Sequence, residues 1–415
     1  MIKQKLMILG AGKDQLPIIK LAQKNNLEIV LVSPKGNYPG LNLVKNIYYE
    51  DVADKIKILE IAKKEKINAI ISDQIDVAIP TIGFVNDKLN LHGINYECSL
   101  SFTNKYKMKE MAKLCGINVI PFEKTTNLKE AQIVCLKIKY PVVIKPISST
   151  ASRGIFIIHS PEELIKYFPV TQKASSDGQV LIEKYIKGQE FVVDGFVDNY
   201  KNNNLIIGKS FNYNLKNLCI SATRIFKSVN TNMDHIEEQI LLMQDFIVQN
   251  FSPIFGNIHG EYIYDYTSDR IYLNEIAIRG GGCCTTTHIV PYLCNINTIE
   301  ILFKNVMRIK NEYNFDKIEP GYCAYITCLL PEGEIYSIKG LDEINSSKYV
   351  IYNFISVDLL NRKSYGVRDK SSKVGPILLY SKNYNDLMSV INYVKSKLSI
   401  KIRTKTGEIK NAIWY

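Results

Sequence analysis

The residues best suited to chemistry begin with Tyr140 to Ile158, YPVVIKPISSTASRGIFII. An apolar strand runs into Lys145, a loop of small residues follows, and a second apolar strand closes the unit. The loop, Ser148-Ser149-Thr150-Ala151-Ser152-Arg153-Gly154, offers hydroxyls and free backbone N–H groups and ends on glycine. Such a loop lies close over phosphate oxygens, and a lysine beside it supplies a point charge. The expected ligand is a polyphosphate, and hence a nucleotide.

Two later segments extend that expectation. In VLIEKYIKGQEF, residues 180–191, a buried strand delivers Glu183 at its end, 38 residues after Lys145. Its carboxylate, or the main chain there with Tyr185 or Ile186, suits an adenine amino group, and Glu190 suits the two ribose hydroxyls. In HGEYIYDYTSDRIYLNEIAIRGGG, residues 259–282, two alternating strands read as a hairpin. A three-residue turn at Thr267-Ser268-Asp269 pairs Tyr266 with Arg270 and sets Glu261 opposite Glu275. A two-residue turn shifts that register. Facing carboxylates repel unless a cation lies between them, and Mg²⁺ is held by carboxylates together with substrate phosphates. By parity Arg279 shares their face, where it suits a carboxylate clamp or a transferring phosphoryl group.

Other elements must position these groups. Residues 5–95 alternate strands and helices, which implies a parallel sheet with crossover helices. Gly10-Ala11-Gly12 opens like a dinucleotide fingerprint, but Gln15 stands where the third glycine belongs, so a tight strand-to-helix turn is expected. TNKYKMKEMAKLC, residues 103–115, reads as a helix capped by Thr103 or Asn104. Residues 189–285 are mostly strand-like, with a helix near 234–250. A helix near 298–312, strands at 322–330 and 333–339, and a helix at 384–397 complete the chain. The fold class is α/β.

The net charge of +11 comes from dispersed lysines, without the arginine-rich, aromatic-interleaved block of a nucleic-acid surface. It favours anionic small substrates instead. No apolar run approaches the roughly 18 residues of a membrane span, and MIKQKLMILGAG reads as a buried first strand, not as a signal peptide. Nine cysteines without C-x-x-C spacing fit a reduced, cytoplasmic protein.

In this order of motifs the chain resembles ATP-grasp enzymes over nearly its whole length. The resemblance implies five parts: a Rossmann-like domain at 1–95, a connecting helix region at 96–119, a lid at 120–188, a central subdomain with the magnesium site at 189–312, and a C-terminal α+β part at 313–415. It implies that Lys105 and Lys145 are the ATP-phosphate lysines, with Ser148, Ser149, Ser152 and Gly154 over the phosphates. Glu183, Lys184, Tyr185 and Ile186 then surround adenine, Glu190 holds ribose, and Glu261 and Glu275 carry magnesium or manganese. Arg279, with Lys145, is the catalytic residue at an acyl phosphate. Where many members have a metal-ligand asparagine this chain has Ala277, as bacterial L-amino acid ligases do. The implied activity is ATP-dependent joining of a small-molecule carboxylate to an amine, and many relatives are dimers. Alternatives left open are activation of bicarbonate or formate, a kinase-like use of the fold, and ATP binding without catalysis. His259 is expected close to the site and is grouped with the nucleotide-binding residues, Arg224 and His288 are further candidates, and Cys283 and Cys284 are expected to pack a turn.

Overall fold

The computed structural model describes residues 4–147, 154–282, 284–310, 313–315 and 318–415. Ser148, Ser149 and Ser152 of the candidate phosphate loop lie outside the described residues.

The N-terminal sheet is parallel, with β1 (Lys5–Leu9), β2 (Glu28–Ser33), β3 (Ile47–Tyr49) and β4 (Ala69–Ile71) in the order β3-β2-β1-β4. The first strand is apolar on both faces because both are covered. Met7 and Leu9 enter one core, while Leu6 and Ile8 enter another. The Gly10-Ala11-Gly12 turn is tied by Gln15: its Oε1 accepts from the Gly12 amide at 3.0 Å, and its Nε2 donates to the Asp73 carbonyl at 2.7 Å. The side chain that breaks the dinucleotide pattern is thus the one that closes the turn. Beyond the carboxyl end of β4, Asp73 accepts from the Gly280 amide at 2.8 Å and from the Asn257 side chain at 3.2 Å, and Asp76 meets Arg279.

The next sheet contains β5 (Phe122–Thr125), β6 (Val142–Pro146), β7 (Phe156–Ile158) and β8 (Val180–Lys184), ordered β5-β8-β6-β7 and antiparallel. Strand alternation sorts its side chains. Val142, Ile144, Val180 and Ile182 pack against Leu164 and Phe168 of the helix Pro161–Ala174. Val143, Lys145 and Glu183 point the other way, into a cleft. Gly154, the last loop residue, has φ +70°, and a Cβ there would lie 2.8 Å from that of Ala174, so the return to β7 requires glycine.

The floor of that cleft is an antiparallel sheet. It holds β9 (Gln189–Asp198), β10 (Lys201–Asn212), β11 (Ser221–Ser228), β12 (Gly256–Asp265), β13 (Arg270–Ala277) and β14 (Tyr322–Leu329), ordered β13-β12-β9-β10-β11-β14. Two further strands, Lys373–Ser381 and Val350–Asn353, continue it past β14. The segment beyond residue 313 therefore adds strands to the central sheet, and it also forms a smaller sheet around Glu332–Lys339. One face of the central sheet is sealed by the helix His235–Phe251, whose Asp234 cap and Glu237 form a reciprocal capping box. The helix Lys105–Leu114, capped by Asn104, joins the same core through Met108 and Ala112, against Tyr262 and Leu273.

Candidate active site

Glu261 lies opposite Glu275 in the β12–β13 hairpin. The opposition arises differently from the expected three-residue turn. Asp265 pairs with Arg270, so the loop holds four residues, 266–269, and the register steps by one residue between Glu261 and Tyr262. Asn274 is the extra residue of a β-bulge. A bulge re-aims side chains, and this one turns Asn274 toward the carboxylates. Its Oδ1 accepts from Lys145 at 3.3 Å and its Nδ2 lies 3.5 Å from Glu261 Oε2.

Two buried lysines converge on the hairpin. Lys105 donates to Glu275 at 2.9 Å. Burial depresses the Lys105 ammonium, but Glu275 outweighs it and raises its pKa above the ordinary value. Lys145 lies 2.5 Å from Glu183 Oε2, and Lys109 lies 2.8 Å from Glu183 Oε1. Burial alone would raise the Glu183 carboxyl; the two ammonium groups overcome it and hold the pKa below its usual range. Lys109, one helical turn after Lys105, is fully buried, and burial pushes its pKa down.

The Glu183 carboxylate is thus engaged by lysines. The Lys184 and Tyr185 amides are spent on the Pro121 and Pro141 carbonyls, and the Lys184 ammonium donates to the Lys139 carbonyl at 2.8 Å. Among the described residues the Ile186 amide makes no hydrogen bond. Tyr185, Ile186 and Glu190 line the cleft between the β5–β8 sheet and the central sheet together with Lys145, Glu261 and Glu275. Glu190 Oε1 accepts from Asn212 at 2.9 Å.

A second cleft, of about 460 Å³, adjoins the first. Glu261, Arg224 and Lys370 line both. His259 belongs to this second cleft. Its Nδ1 bonds Asp194 at 2.9 Å, and its Nε2 lies 3.6 Å from Glu261. Burial lowers the imidazole pKa, but Asp194 and Glu261 overcome this and raise it to about 9. A Cβ on Gly281 would come within 2.6 Å of Asp194 and 2.7 Å of His259, so only glycine passes over this pair. Glu261 is pulled well below the usual carboxylate range: burial opposes this, and Lys370, His259 and Arg224 together overcome it. Arg224 Nη2 lies 3.3 Å from Glu261.

Arg279 follows β13 and is held by Asp76 of the N-terminal part, Nε to Oδ1 at 2.7 Å and Nη2 to Oδ2 at 3.1 Å. Its Nη1 donates to the Gly280 carbonyl at 3.0 Å. His288 lies apart from the site, packed edge-on against Tyr352 and Phe354. Cys284 sits in the turn after the glycines at φ +59°.

Residues 138–287 match the family profile described as "ATP-grasp domain". This stretch is an ATP-grasp domain. It runs from just before β6, the strand bearing Lys145, to the turn beyond Arg279. The L-arginine-specific L-amino acid ligase of Bacillus subtilis is 27% identical over 241 residues, 56% of this chain and 57% of the relative. A formate-dependent phosphoribosylglycinamide formyltransferase of Methanocella arvoryzae is 29% identical over 191 residues, 44% of this chain and 43% of the relative. The chain thus spans about half the length of these curated relatives. The structure of an L-amino acid ligase from Bacillus licheniformis superposes with a TM-score of 0.77 at 19% identity, over 96% of this chain and 98% of that one. Phosphoribosylglycinamide synthetase from Anaerococcus prevotii gives 0.69 at 18% identity, over 96% and 99%. These likenesses extend the ATP-grasp fold beyond the domain to nearly the whole chain.

Five functional candidates escape sequence reading. Asn274 depends on an invisible bulge, and Asp76 and Asp194 are single acids on separate elements. Lys370 stands in a three-residue 3-10 helix far along the chain. Lys109 alone left a signal, the i,i+4 spacing from Lys105 on a helix with a buried face.

Proposed function

We propose that this chain is an ATP-dependent ligase that activates a carboxylate as an acyl phosphate and joins it to an amine, releasing ADP and phosphate. The observation that carries this reading is the shared wall between the clefts. Glu261 borders both the nucleotide cleft and the cationic second cleft, so a γ-phosphate and an acid bound on either side meet at one carboxylate pair.

Adenine would lie against Tyr185 and Ile186, with the Ile186 amide available to it, and Glu190 would take the ribose hydroxyls. Lys105 and Lys145 would transfer their charge from Glu275 and Glu183 to the phosphates. Among the described residues no cluster of three or more acidic, histidine or cysteine side chains forms a complete metal cage. Two carboxylates with an adjacent amide oxygen nevertheless fit Mg²⁺, which binds through one or two carboxylates plus substrate phosphates. Glu261 and Glu275 would hold the ion, which would neutralise phosphate charge. Arg279, pre-oriented by Asp76, would fix the acid with its remaining donors. The acid oxygen attacks the γ-phosphorus and ADP leaves; the amine then attacks the acyl carbon, phosphate leaves and the nitrogen loses a proton.

The test is ADP release across paired acids and amines with Mg·ATP, with mass spectrometry of the products. An amide formed in step with ADP is expected; absence of acid-dependent ADP release across the panel contradicts the reading. Formate is a second candidate acid, supported by the formate-dependent Methanocella relative. Formate-stimulated ADP release distinguishes it.

A further inference from the structure

The charges lining the second cleft are unequal. Arg224, His259 and Arg279 come from the ATP-grasp domain, and Lys370 and Lys373 from the C-terminal segment. Against them stand two carboxylates, Asp76 and Glu261. Asp76 is committed to Arg279 through both its oxygens. Glu261 is shared by Arg224, His259 and Asn274. Neither acid is left to receive a substrate ammonium group.

The reacting carboxylate of a substrate accounts for only part of this positive wall. Arg279 has five N–H donors, three of them spent on Asp76 and Gly280, so two remain for one carboxylate. The Lys370 ammonium makes no hydrogen bond or ion pair among the described residues, and it acts on Glu261 through its field. Lys373 begins a strand on the same wall, its ammonium 5.0 Å from the Tyr325 ring centre. The lysines thus approach from a different element than Arg279. The volume of about 460 Å³ is that of a small-molecule pocket, far more than one carboxylate fills. A cleft lined by one sign of charge concentrates ligands of the other.

We infer that the acid activated in this cleft carries a second anionic group, a carboxylate or a phosphonate-like oxyanion, held by Lys370 and Lys373, and bears no free α-ammonium. This rests on the ligase reading and deepens it. It separates this chain from the specificity that the L-amino acid ligase relatives are named for.

Hydroxylamine in place of the amine makes the test independent of the natural nucleophile. The acid takes the γ-phosphoryl group and ADP leaves; hydroxylamine nitrogen then displaces phosphate and loses a proton, leaving a hydroxamate that is measured directly. The probes are glutarate, succinate and phosphonoacetate, against butyrate and alanine. The expected kcat/KM for the dianionic acids exceeds that for butyrate and alanine by at least about tenfold, the factor that ~1.4 kcal/mol of selective contact gives. Lys373→Met and Lys370→Met should shrink that ratio by raising KM for glutarate. In Lys373→Met, which lies outside the nucleotide cleft, the Kd of a non-hydrolysable ATP analogue should stay unchanged. Equal or better turnover of butyrate or alanine, or a ratio indifferent to both substitutions, overturns the inference and leaves the ligase reading standing. No hydroxamate from any acid, while the ATP analogue still binds, overturns the ligase reading and this inference with it.

Discussion

Asp76 and Arg279 stand 203 residues apart in the chain and are joined by two hydrogen bonds, 2.7 Å to Nε and 3.1 Å to Nη2. A planar guanidinium held at two points keeps one orientation. The N-terminal domain thereby fixes the arginine that the ATP-grasp domain presents to the second cleft. Asp76→Ala should lower kcat/KM for the acid on the order of 100-fold, the scale of a misplaced catalytic group. The Kd for ATP should not move, and Arg279→Lys should reproduce the loss without the fork. Steady-state kinetics with nucleotide-binding measurements check both.

Glu183 separates two lysines that are almost wholly enclosed. Glu183→Gln would leave Lys109 and Lys145 facing each other without a counter-charge, and breaking such a buried pair from one side costs about 3–5 kcal/mol. Urea unfolding should report that loss. Its pH dependence has a definite sign. The folded carboxyl has a lowered pKa, so its stabilisation is present above the unfolded value and is lost as pH falls through the folded one. The wild-type protein should therefore lose stability below about pH 4 more steeply than Glu183→Gln.

His259 titrates in the opposite sense. Its pKa is raised to about 9, so the stabilisation from its pairing with Asp194 is full below the unfolded value near 6.5 and is lost as pH rises toward about 9. Activity should show an alkaline limb in the same range, because loss of the imidazolium removes one cation from beside Glu261. His259→Gln should abolish that limb and lower activity at pH 7. A limb that persists unchanged in the variant assigns it to another group.

Asn274→Ala tests the bulge. The amide joins Lys145 to the Glu261 carboxylate, and a hydrogen bond to a charged group contributes about 1.5–3 kcal/mol. KM for Mg·ATP should rise roughly 10- to 100-fold, with little change in unfolding free energy. Titration with Mg²⁺ should show weaker apparent metal affinity in the same variant.

Much of this arrangement was legible in the chain because strand parity is a strict code. Val142, Ile144 and Ile182 had to face one way if Lys145 and Glu183 faced the other, and Glu261 and Glu275 had to share a face once the hairpin closed. The route to that register was not legible. A four-residue loop with one bulged residue places the glutamates opposite each other just as a three-residue loop without a bulge would, and only the structure tells them apart. Burial decides what pattern cannot. Glu183, placed at adenine by resemblance, is drawn between two enclosed lysines because an uncompensated ammonium there is costly. His259, grouped with the nucleotide residues, belongs to the second cleft because Asp194 lies buried beneath it. Acids such as Asp76 and Asp194 acquire meaning only from partners distant in sequence.

The central claim is that the acid takes up the γ-phosphoryl group before the amine attacks. Its most direct test is turnover of an acid labelled with ¹⁸O in both carboxylate oxygens, with mass analysis of the released phosphate. The account predicts one labelled oxygen in each phosphate formed, in step with ADP and amide. Unlabelled phosphate accompanying amide formation would contradict it.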